Sequence, residues 1–478
     1  MSLDRREFVK GGLAALGFLA ADGLPIFAAP AGFKPKKEPN LVFGILTDTH
    51  YRVEWNGVTL WRGMSLDYVR NAFKLFRARK VGAFLHLGDA AHRAADREIE
   101  LHRELFEDVF GKSGGPVKLL VPGNHEWFDC RDMHQKIWGN GYEDHSLMCD
   151  FPRIWGRAWG VKFEEMWHRE VNGYHFFGRD WNTDEMKFAN FILGEAEACS
   201  LKGTKPFFIL SHARHHFQFC HALREYPNAV AFFGHWHASN ADWKTIFFDK
   251  FGGFFPSIEC GACRFDGGNT LDVGHESVLK EQWAASDKKP EEKEQNWHSN
   301  KVPSRQAMVV NIYDDMVVFE RHEVGQGGKL GPDWVLPLKW REKKDANGEP
   351  FKHPFSRDML ARRIGTPEFA AKAVLDVKEN SASQMLCLKI PVADGNPKSR
   401  VFAYDVVVMA DGDPKKRFFK SVYFEGCNLG IGHEPDYGVT TVEIPKAELP
   451  AGKKLTIAVR PISSLGTKGK TIGTTWRT

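Results

Sequence analysis

The chain has 478 residues, of which 42% are hydrophobic and 26% are charged. These values are ordinary for a globular protein and allow two or three domains with a sizeable core. The net charge of +4 is too small and too dispersed to indicate nucleic acid or an anionic membrane surface as the main partner.

The first 31 residues have the pattern of a secretory signal. A charged segment with Arg5 and Arg6 precedes a short apolar run at 13–21, and small residues follow it. The run is shorter than the roughly 20 residues that cross a bilayer, and no cysteine follows the signal, so we expect no stable membrane anchor. The arginine pair resembles the twin-arginine consensus, with a Sec signal as the alternative. We therefore expect export by the twin-arginine (Tat) translocase to the periplasm or the cell exterior.

From residue 40 onward, short apolar runs alternate with amphipathic segments. The runs predict buried strands at 41–46, 83–87, 117–121, 207–210 and 229–233. The amphipathic segments predict helices at about 65–80, 97–110 and 184–200. This alternation is typical of an α/β fold, in which ligands gather beyond the carboxyl ends of the strands.

The helical pattern fades after about residue 245. A charged stretch at 264–305 predicts a solvated loop, and two strands around Asp314-Asp315 follow it. From 381 onward, alternating strands and Gly/Asp/Pro turns predict an all-β sandwich of the immunoglobulin or fibronectin kind. The predicted domains are a signal at 1–31, an α/β domain at 38–325, a strand-poor connection at 326–380 and the sandwich at 381–478.

Each of the five α/β strand runs ends in a cluster of polar residues. The clusters are Asp48-x-His50, Gly88-Asp89, Gly123-Asn124-His125-Glu126, His212 and Gly234-His235-x-His237. Residues i and i+2 of an extended segment project to the same side, so the last two histidines can converge on one site. A chain with 20 histidines could also contain such a pair by chance. The complete ordered set resembles the calcineurin-like metallophosphoesterase superfamily over roughly residues 40–325.

The resemblance implies a β-sheet sandwich flanked by helices and a site for two divalent cations. Every implied ligand offers oxygen or nitrogen, which suits Mn, Fe or Zn without choosing among them. The implied ligands are Asp48, His50 and His237 for one metal, Asn124, His212 and His235 for the other, and Asp89 as the bridge.

The same resemblance implies how the site works on a phosphate ester. Metals lower the pKa of bound water from about 15.7 to roughly 7, which supplies hydroxide as the nucleophile, with Asp89 holding the two metals together. His125 is implied as the general acid that protonates the leaving oxygen. Glu126 is expected to orient the imidazole of His125 or to stabilise its charge.

Several alternatives stay open at this level. The substrate is a phosphorylated small molecule or a phosphodiester, and a pyrophosphate or nucleotide-sugar bond would use the same residues. A catalytically idle cell-surface binding module is the other alternative. His92 stands where purple acid phosphatases have a tyrosine ligand, so we expect no tyrosinate–iron site. Arg214, His215 and His216 either contact substrate phosphate or form a solvated loop. The Cys260–Cys263 pair forms either a disulfide or two buried thiols.

Overall fold

The structure is a computed structural model. It describes residues 38–51, 66–91, 96–127, 151–203, 205–241, 245–248, 254–263, 305–338, 353–396, 398–410, 413–431, 439–450 and 454–477. The predicted signal at 1–31, His92 and nearly all of the predicted loop at 264–305 lie outside these residues. None of the helices in the described ranges has the length and apolarity needed to cross a bilayer.

The first part of the chain folds into two six-stranded mixed sheets that face each other. The first sheet has the order β12-β11-β10-β1-β2-β3, with β1, β2 and β3 parallel. Its strands are β1 Leu41–Leu46, β2 Ala83–His86, β3 Val117–Leu120, β10 Gln306–Ile312, β11 Met316–Glu323 and β12 Trp334–Pro337.

The second sheet has the order β4-β5-β6-β7-β9-β8. Four of its strands, from β5 to β9 in that order, run parallel, while β4 and β8 are antiparallel edge strands. Its strands are β4 Met166–Val171, β5 Tyr174–Arg179, β6 Phe207–Leu210, β7 Ala229–Phe233, β8 Ile246–Phe247 and β9 Ser257–Glu259.

Aromatic side chains fill the space between the two sheets. The ring centroid of Phe43 on β1 lies 5.5, 5.1 and 6.0 Å from those of Phe176, Phe208 and Phe232 on the second sheet. Rings at these separations bury large apolar areas and favour edge-to-face contacts, which all three pairs make. The sheet pair therefore forms a rigid support for the loops at its carboxyl edge.

Helices cover the outer face of each sheet. On α1, the apolar positions Val69, Ala72, Phe73 and Phe76 recur at helical spacing and are fully buried against the first sheet. The helices α4 and α5 cover the second sheet in the same way. The helices are α1 Leu66–Ala78, α2 Asp96–Phe110, α3 Phe151–Trp159, α4 Glu185–Ala198, α5 Phe217–Ala222 and α6 Arg357–Ile364.

The last part of the chain is an antiparallel sandwich with its own core. A three-stranded sheet, β13-β14-β17, and a four-stranded sheet, β16-β15-β18-β19, share one cluster of buried apolar side chains. The strands are β13 Asp376–Asn380, β14 Met385–Ile390, β15 Ala403–Ala410, β16 Asp413–Tyr423, β17 Thr440–Pro445, β18 Lys454–Ile462 and β19 Ile472–Arg477. The predicted all-β architecture is therefore present.

The strands predicted in the α/β region agree with β1, β2, β3, β6 and β7 to within one residue. The hairpin β4–β5 has no counterpart among the elements predicted from the sequence. The segment 326–380 contains β12, which extends the first sheet, and all of β13. The proposed domain boundaries at 325 and 380 stay a prediction.

Candidate metal centre

The predicted site residues lie together at the carboxyl edge of the two sheets. Asp48 and His50 follow β1, Asp89 follows β2, and His212 follows β6. Of the others, Asn124 and His125 follow β3, and His235 and His237 follow β7. The first sheet thus contributes predicted ligands from three loops and the second sheet from two.

The backbone at this edge adopts an unusual conformation. Asp48, His50, Asp89, His235 and His237 have φ angles of 52°, 46°, 54°, 74° and 52°. Left-handed φ is uncommon for residues other than glycine and costs of order 1–3 kcal/mol where it is strained. Five of the nine described non-glycine residues with positive φ are predicted ligands. Such residues cluster at functional sites, and here the conformation turns the side chains toward one centre.

Three glycines allow the ligand loops to pack closely. A Cβ at Gly88 would meet Gly123 N and His212 Nδ1 at 2.6 Å, and a Cβ at Gly123 would meet Asp89 Oδ1 at 2.2 Å. A Cβ at Gly234 would meet Asp48 Oδ2 at 2.3 Å. Only Gly88 has a positive φ, of 97°. At Gly123 and Gly234 the missing side chain therefore allows close approach between two loops.

Asp48, His50 and His237 form the first candidate ligand group. Asp48 Oδ2 accepts hydrogen bonds from Thr47 Oγ1 at 2.7 Å and from His235 N–H at 2.9 Å. Asp48 Oδ1 is buried and has no hydrogen bond of good geometry within the described residues. It lies 3.1 Å from His237 Nε2 and 3.7 Å from His50 Nε2. A buried, charged oxygen facing two imidazole nitrogens suits a divalent cation.

Asp89, His212 and His235 form the second candidate group, and Asn124 adjoins it. His212 Nδ1–H donates to the carbonyl oxygen of Leu87 at 2.8 Å, which leaves Nε2 to face the site. Nε2 lies 3.1 Å from Asp89 Oδ2 and 3.1 Å from Asn124 Oδ1. A nitrogen lone pair facing two oxygens is repulsive unless a proton or a cation lies between them. The residues present therefore fit a second cation.

Asp89 joins the two groups through a single oxygen. Its Oδ2 lies 3.5 Å from His50 Nε2, in the first group, and 3.1 Å from His212 Nε2, in the second. Its Oδ1 accepts a hydrogen bond from His125 N–H at 2.9 Å, which fixes the carboxylate in this orientation. This placement is the one that a bridging ligand requires, although the coordination itself stays a prediction.

The electrostatics of the site follow from burial and from these contacts. Burial acts to raise the pKa of Asp48 and of Asp89, but neighbouring imidazoles outweigh it and hold both well below their usual range. Burial lowers the pKa of His50 to about 3. Burial would also lower the pKa of His212, yet Asp89 raises it to about 9. Two carboxylates are thus charged at neutral pH, and neutral His50 offers a lone pair.

His125 occupies the rim of the site. It begins a short 3₁₀ helix, His125–Trp127, and its side chain is 21% exposed. Its Nε2 lies 4.0 Å from Asp89 Oδ2, and its ring meets His50 edge-on at 4.4 Å. The structure also groups it with His50 and Asp89 as possible ligands. The geometry accommodates the predicted general acid without testing it.

Glu126 makes its hydrogen bonds to backbone, and its expected effect on His125 stays a prediction. Its carboxylate is fully buried and accepts hydrogen bonds from the backbone N–H groups of Asp89, Ala91 and Gly123, at 2.9, 3.0 and 2.6 Å. These bonds tie the loop after β2 to the loop after β3. Burial and the nearby Asp89 raise the pKa of Glu126 to about 7, against the effect of the N–H donors. Glu126 therefore positions the backbone of Asp89, the predicted bridging ligand.

Trp181 was not identified from the sequence. Its ring lies 5.5 Å from His212 and 5.1 Å from His235, so it lines the second ligand group. Two other tryptophans, which flank the predicted ligands in the sequence, have different contacts. Trp127 donates to Asp180 Oδ1 at 3.0 Å, and Trp236 packs against Phe247. No local motif marks Trp181, because its contact depends on how the two sheets meet.

Arg214, His215 and His216 have contacts outside the two ligand groups, and a contact with substrate phosphate stays a prediction. His215 is buried and stacks on Phe219 at 3.8 Å, while exposed His216 pairs with Glu185 at 3.0 Å. Arg214 lies over the rings of Trp236 and Phe247, at 4.4 and 5.0 Å. None of these contacts involves a predicted ligand. Cys260 and Cys263 are buried free thiols, so the structure favours two buried thiols over a disulfide for this pair.

Fold and side chains together are those of a metal-dependent phosphoesterase. Residues 41–239 match the family model of calcineurin-like phosphoesterase. The chain therefore contains a calcineurin-like metallophosphoesterase domain and is a phosphoesterase hydrolase. The family depends on two metal ions, in keeping with the His and Asp clusters described above. The class predicted from the five polar clusters is confirmed.

No curated protein matches the chain. Among solved structures, a dimetal phosphatase from Danio rerio is 12% identical with a TM-score of 0.37, covering 63% of this chain and 100% of that chain. Purple acid phosphatase PPD1 from yellow lupin is 10% identical with a TM-score of 0.38, covering 63% and 55%. Vps29 with bound zinc from Entamoeba histolytica is 9% identical with a TM-score of 0.25, covering 62% and 99%. These similarities do not bear on the substrate.

Proposed function

We propose that the chain hydrolyses phosphomonoesters or phosphodiesters with two divalent cations and His125 as general acid. The observation that carries the proposal is the position of Asp89 Oδ2, which faces His50 Nε2 and His212 Nε2 from between the two ligand groups. One buried carboxylate oxygen shared by two imidazole groups is the arrangement that a dinuclear site needs.

The protein's own residues prepare the site for this chemistry. When bound, two divalent cations supply a hydroxide nucleophile from water and neutralise charge on the phosphoryl oxygens. Asp48 and Asp89 provide the negative charge that holds such cations close together. The carbonyl oxygen of Leu87 fixes the orientation of His212. Glu126 fixes the loop that carries Asp89. His125, at the partly exposed rim, is placed to give a proton to the leaving oxygen.

A substrate and metal screen tests this proposal. The purified mature chain is assayed on para-nitrophenyl phosphate, its bis ester and nucleotides, with Mn, Fe, Zn and Ca supplied in turn. We expect hydrolysis with one or more of Mn, Fe and Zn, and two metal ions per chain by elemental analysis. Binding of a single ion with full activity would contradict the dinuclear site, and no hydrolysis with any metal would favour the binding module.

We further propose that the protein is exported through the twin-arginine route to the periplasm or the cell exterior. The support is the sequence around Arg5 and Arg6, with its short, weakly apolar run. Replacing both arginines with lysine should trap the precursor inside the cell, as seen by fractionation. Normal export of the Arg5→Lys, Arg6→Lys variant would point to the Sec pathway.

We also propose that β13–β19 form a sandwich of the immunoglobulin or fibronectin kind. The support is the division into three and four antiparallel strands over one shared core. In such sandwiches the two sheets pack with strands about 30° apart. A crystal structure with the two sheets crossing near a right angle would overturn this assignment.

A further inference from the structure

A second cluster of metal-ligating side chains lies on the second sheet. His168 lies on β4, His175 on β5, and Cys199 immediately follows α4. One donor atom of each lies within 4.8 Å of the other two. Three separate elements therefore bring two imidazoles and a thiol to one point.

The two imidazoles face each other directly. His168 Nε2 lies 2.8 Å from His175 Nδ1, and the ring of His168 stacks on Phe177 with centroids 4.6 Å apart. Cys199 is held close by its own backbone, whose N–H donates to Glu195 O at 2.9 Å. The side chain of His168 is 17% exposed, so an ion from solution can reach it.

Glu195 completes an arrangement common at metal sites. Its Oε2 lies 2.9 Å from Nδ1 of His168, the ring nitrogen that faces away from His175. A metal-binding histidine usually donates its second N–H to a carboxylate, which fixes the tautomer and strengthens the ligand. With its proton on Nδ1, His168 presents the lone pair of Nε2 toward His175. The carboxylate thus prepares the imidazole to bind a cation.

This cluster is separate from the dinuclear centre. His175 is the second residue of β5, and four residue steps along the strand, about 13 Å, separate it from Arg179 at the other end. Trp181, which contacts His212 and His235, lies beyond that other end. The cluster and the candidate metal centre therefore occupy opposite ends of the same strand.

We propose that His168 Nε2, His175 Nδ1 and Cys199 Sγ bind one zinc ion, with water as the fourth ligand. Two nitrogens and a thiolate suit tetrahedral zinc, whereas hard cations such as Mg²⁺ or Ca²⁺ prefer oxygen ligands. Glu195 and Glu170 add negative charge near the imidazoles, and Lys205 near His175 partly opposes it. The ion ties the end of α4 to the edge hairpin β4–β5, the outermost part of the second sheet.

Cobalt distinguishes this site from the dinuclear centre. Co²⁺ substitutes for zinc, and a thiolate ligand gives an intense sulfur-to-cobalt band in the near ultraviolet that nitrogen and oxygen ligands do not give. The dinuclear ligand set contains no sulfur, so the band reports the second site alone. The full-length mature chain, stripped of metal and kept reduced with a phosphine, is titrated with Co²⁺. We expect a band that saturates at one ion per chain and disappears when Zn²⁺ is added.

Matched variants decide the assignment. Cys199→Ser should abolish the band, His168→Asn and His175→Asn should weaken its binding at least about 10-fold, and Cys387→Ser, in the distant sandwich, should leave it unchanged. Hydrolysis by Cys199→Ser with a full dinuclear centre should persist, which separates this proposal from the proposed function. No band in the wild-type chain, a band retained in Cys199→Ser, or a band unaffected by both histidine variants would overturn it.

Discussion

The α/β region and the C-terminal sandwich differ in where non-glycine residues adopt left-handed φ angles. In the α/β region, five non-glycine residues at one sheet edge have left-handed φ, and all five are predicted metal ligands. In the described part of the sandwich, the only non-glycine residue with positive φ is Gln384, in the turn between β13 and β14. Three further described residues of the α/β region, Lys80, Asn172 and Ser200, have positive φ in turns away from that edge. Five of the eight such residues in the first region therefore share one location, and the single one in the second region lies in a turn.

Buried charge follows the same division. Asp48, Asp89 and Glu126 are buried within a few ångströms of one another, where each would be costly without compensation. In the sandwich, buried Asp405 is compensated by an ion pair with Arg460 at 2.8 Å. At the candidate metal centre, backbone strain and buried charge coincide, and such features persist where the surrounding structure holds them in place. Hydrolysis should therefore be sensitive to small side-chain substitutions near the candidate metal centre and insensitive to larger ones in the sandwich core.

The largest effect on hydrolysis is expected for Asp89→Asn. This change keeps the size of the side chain and removes the negative charge from between the two cations. We expect a loss well beyond the roughly 10–100-fold seen for residues that only orient ligands, together with loss of at least one metal. Activity and metal content are measured side by side for Asp89→Asn, His50→Ala and His237→Ala. Equal and mild losses in all three would argue against the bridging assignment.

The next largest effect is expected for His125→Ala, and it should depend on the leaving group. General acid catalysis typically contributes about 10²–10⁴-fold when the departing oxygen is basic. Alkyl phosphate esters need that proton, whereas nitrophenolate leaves well without it. We therefore expect a large loss on alkyl esters, a small loss on nitrophenyl esters and unchanged metal content.

The structure also groups His125 with His50 and Asp89 as possible ligands, so metal content is the decisive control. If His125→Ala loses a metal, or slows all esters equally, the imidazole belongs to the ligand set and the acid must be sought elsewhere.

A smaller, uniform effect is expected for Glu126→Gln. The carboxylate accepts from Ala91 N–H through one oxygen and from Asp89 and Gly123 N–H through the other. An amide must turn its NH₂ toward one of these donors, which displaces the loop that carries Asp89. We expect roughly a 10–100-fold loss of metal affinity or activity, equal for alkyl and nitrophenyl esters. The exposed Glu225→Gln serves as the control and should behave as wild type.

The leaving-group comparison also separates two roles for Glu126. A residue that orients His125, as the sequence suggested, would reproduce the leaving-group dependence of His125→Ala when it is replaced. A residue that holds the backbone, as the structure shows, would not. If Glu126→Gln slows alkyl esters more than nitrophenyl esters, Glu126 acts through His125 and not only through the backbone.

The central strands could be predicted because they are continuous apolar runs that both faces of a sheet bury, as in 41–46 and 229–233. The edge hairpin β4–β5 was missed because β4 carries polar His168, Arg169 and Glu170. A local signal was present in Asn172-Gly173, whose φ angles of 51° and 76° suit a two-residue hairpin turn.

The meeting of the candidate ligands at one sheet edge could be predicted because each of them follows the end of a strand. The role of Glu126 could not, because its three N–H partners come from two loops that meet only after the first sheet forms. The position of Trp181 could not be predicted for the same reason, since it contacts His212 and His235, which lie far from it in the sequence. Residues next to a strand end are readable from the sequence, whereas contacts between loops depend on the assembled sheets.

The smallest effect on hydrolysis is expected for Ile457→Ala, although it should destabilise the sandwich by about 2–5 kcal/mol. Ile457 is fully buried in the sandwich core on β18. The two regions do touch: Ile431 N–H donates to Lys329 O at 2.7 Å, and Ala241, four residues after His237, packs against the sandwich core. Ile45→Ala makes the same deletion in β1, three residues before Asp48, and should reduce both stability and hydrolysis. Thermal unfolding and hydrolysis well below the unfolding transition are measured for both variants. If Ile457→Ala loses as much hydrolysis rate as Ile45→Ala, the sandwich supports the candidate metal centre in the α/β region.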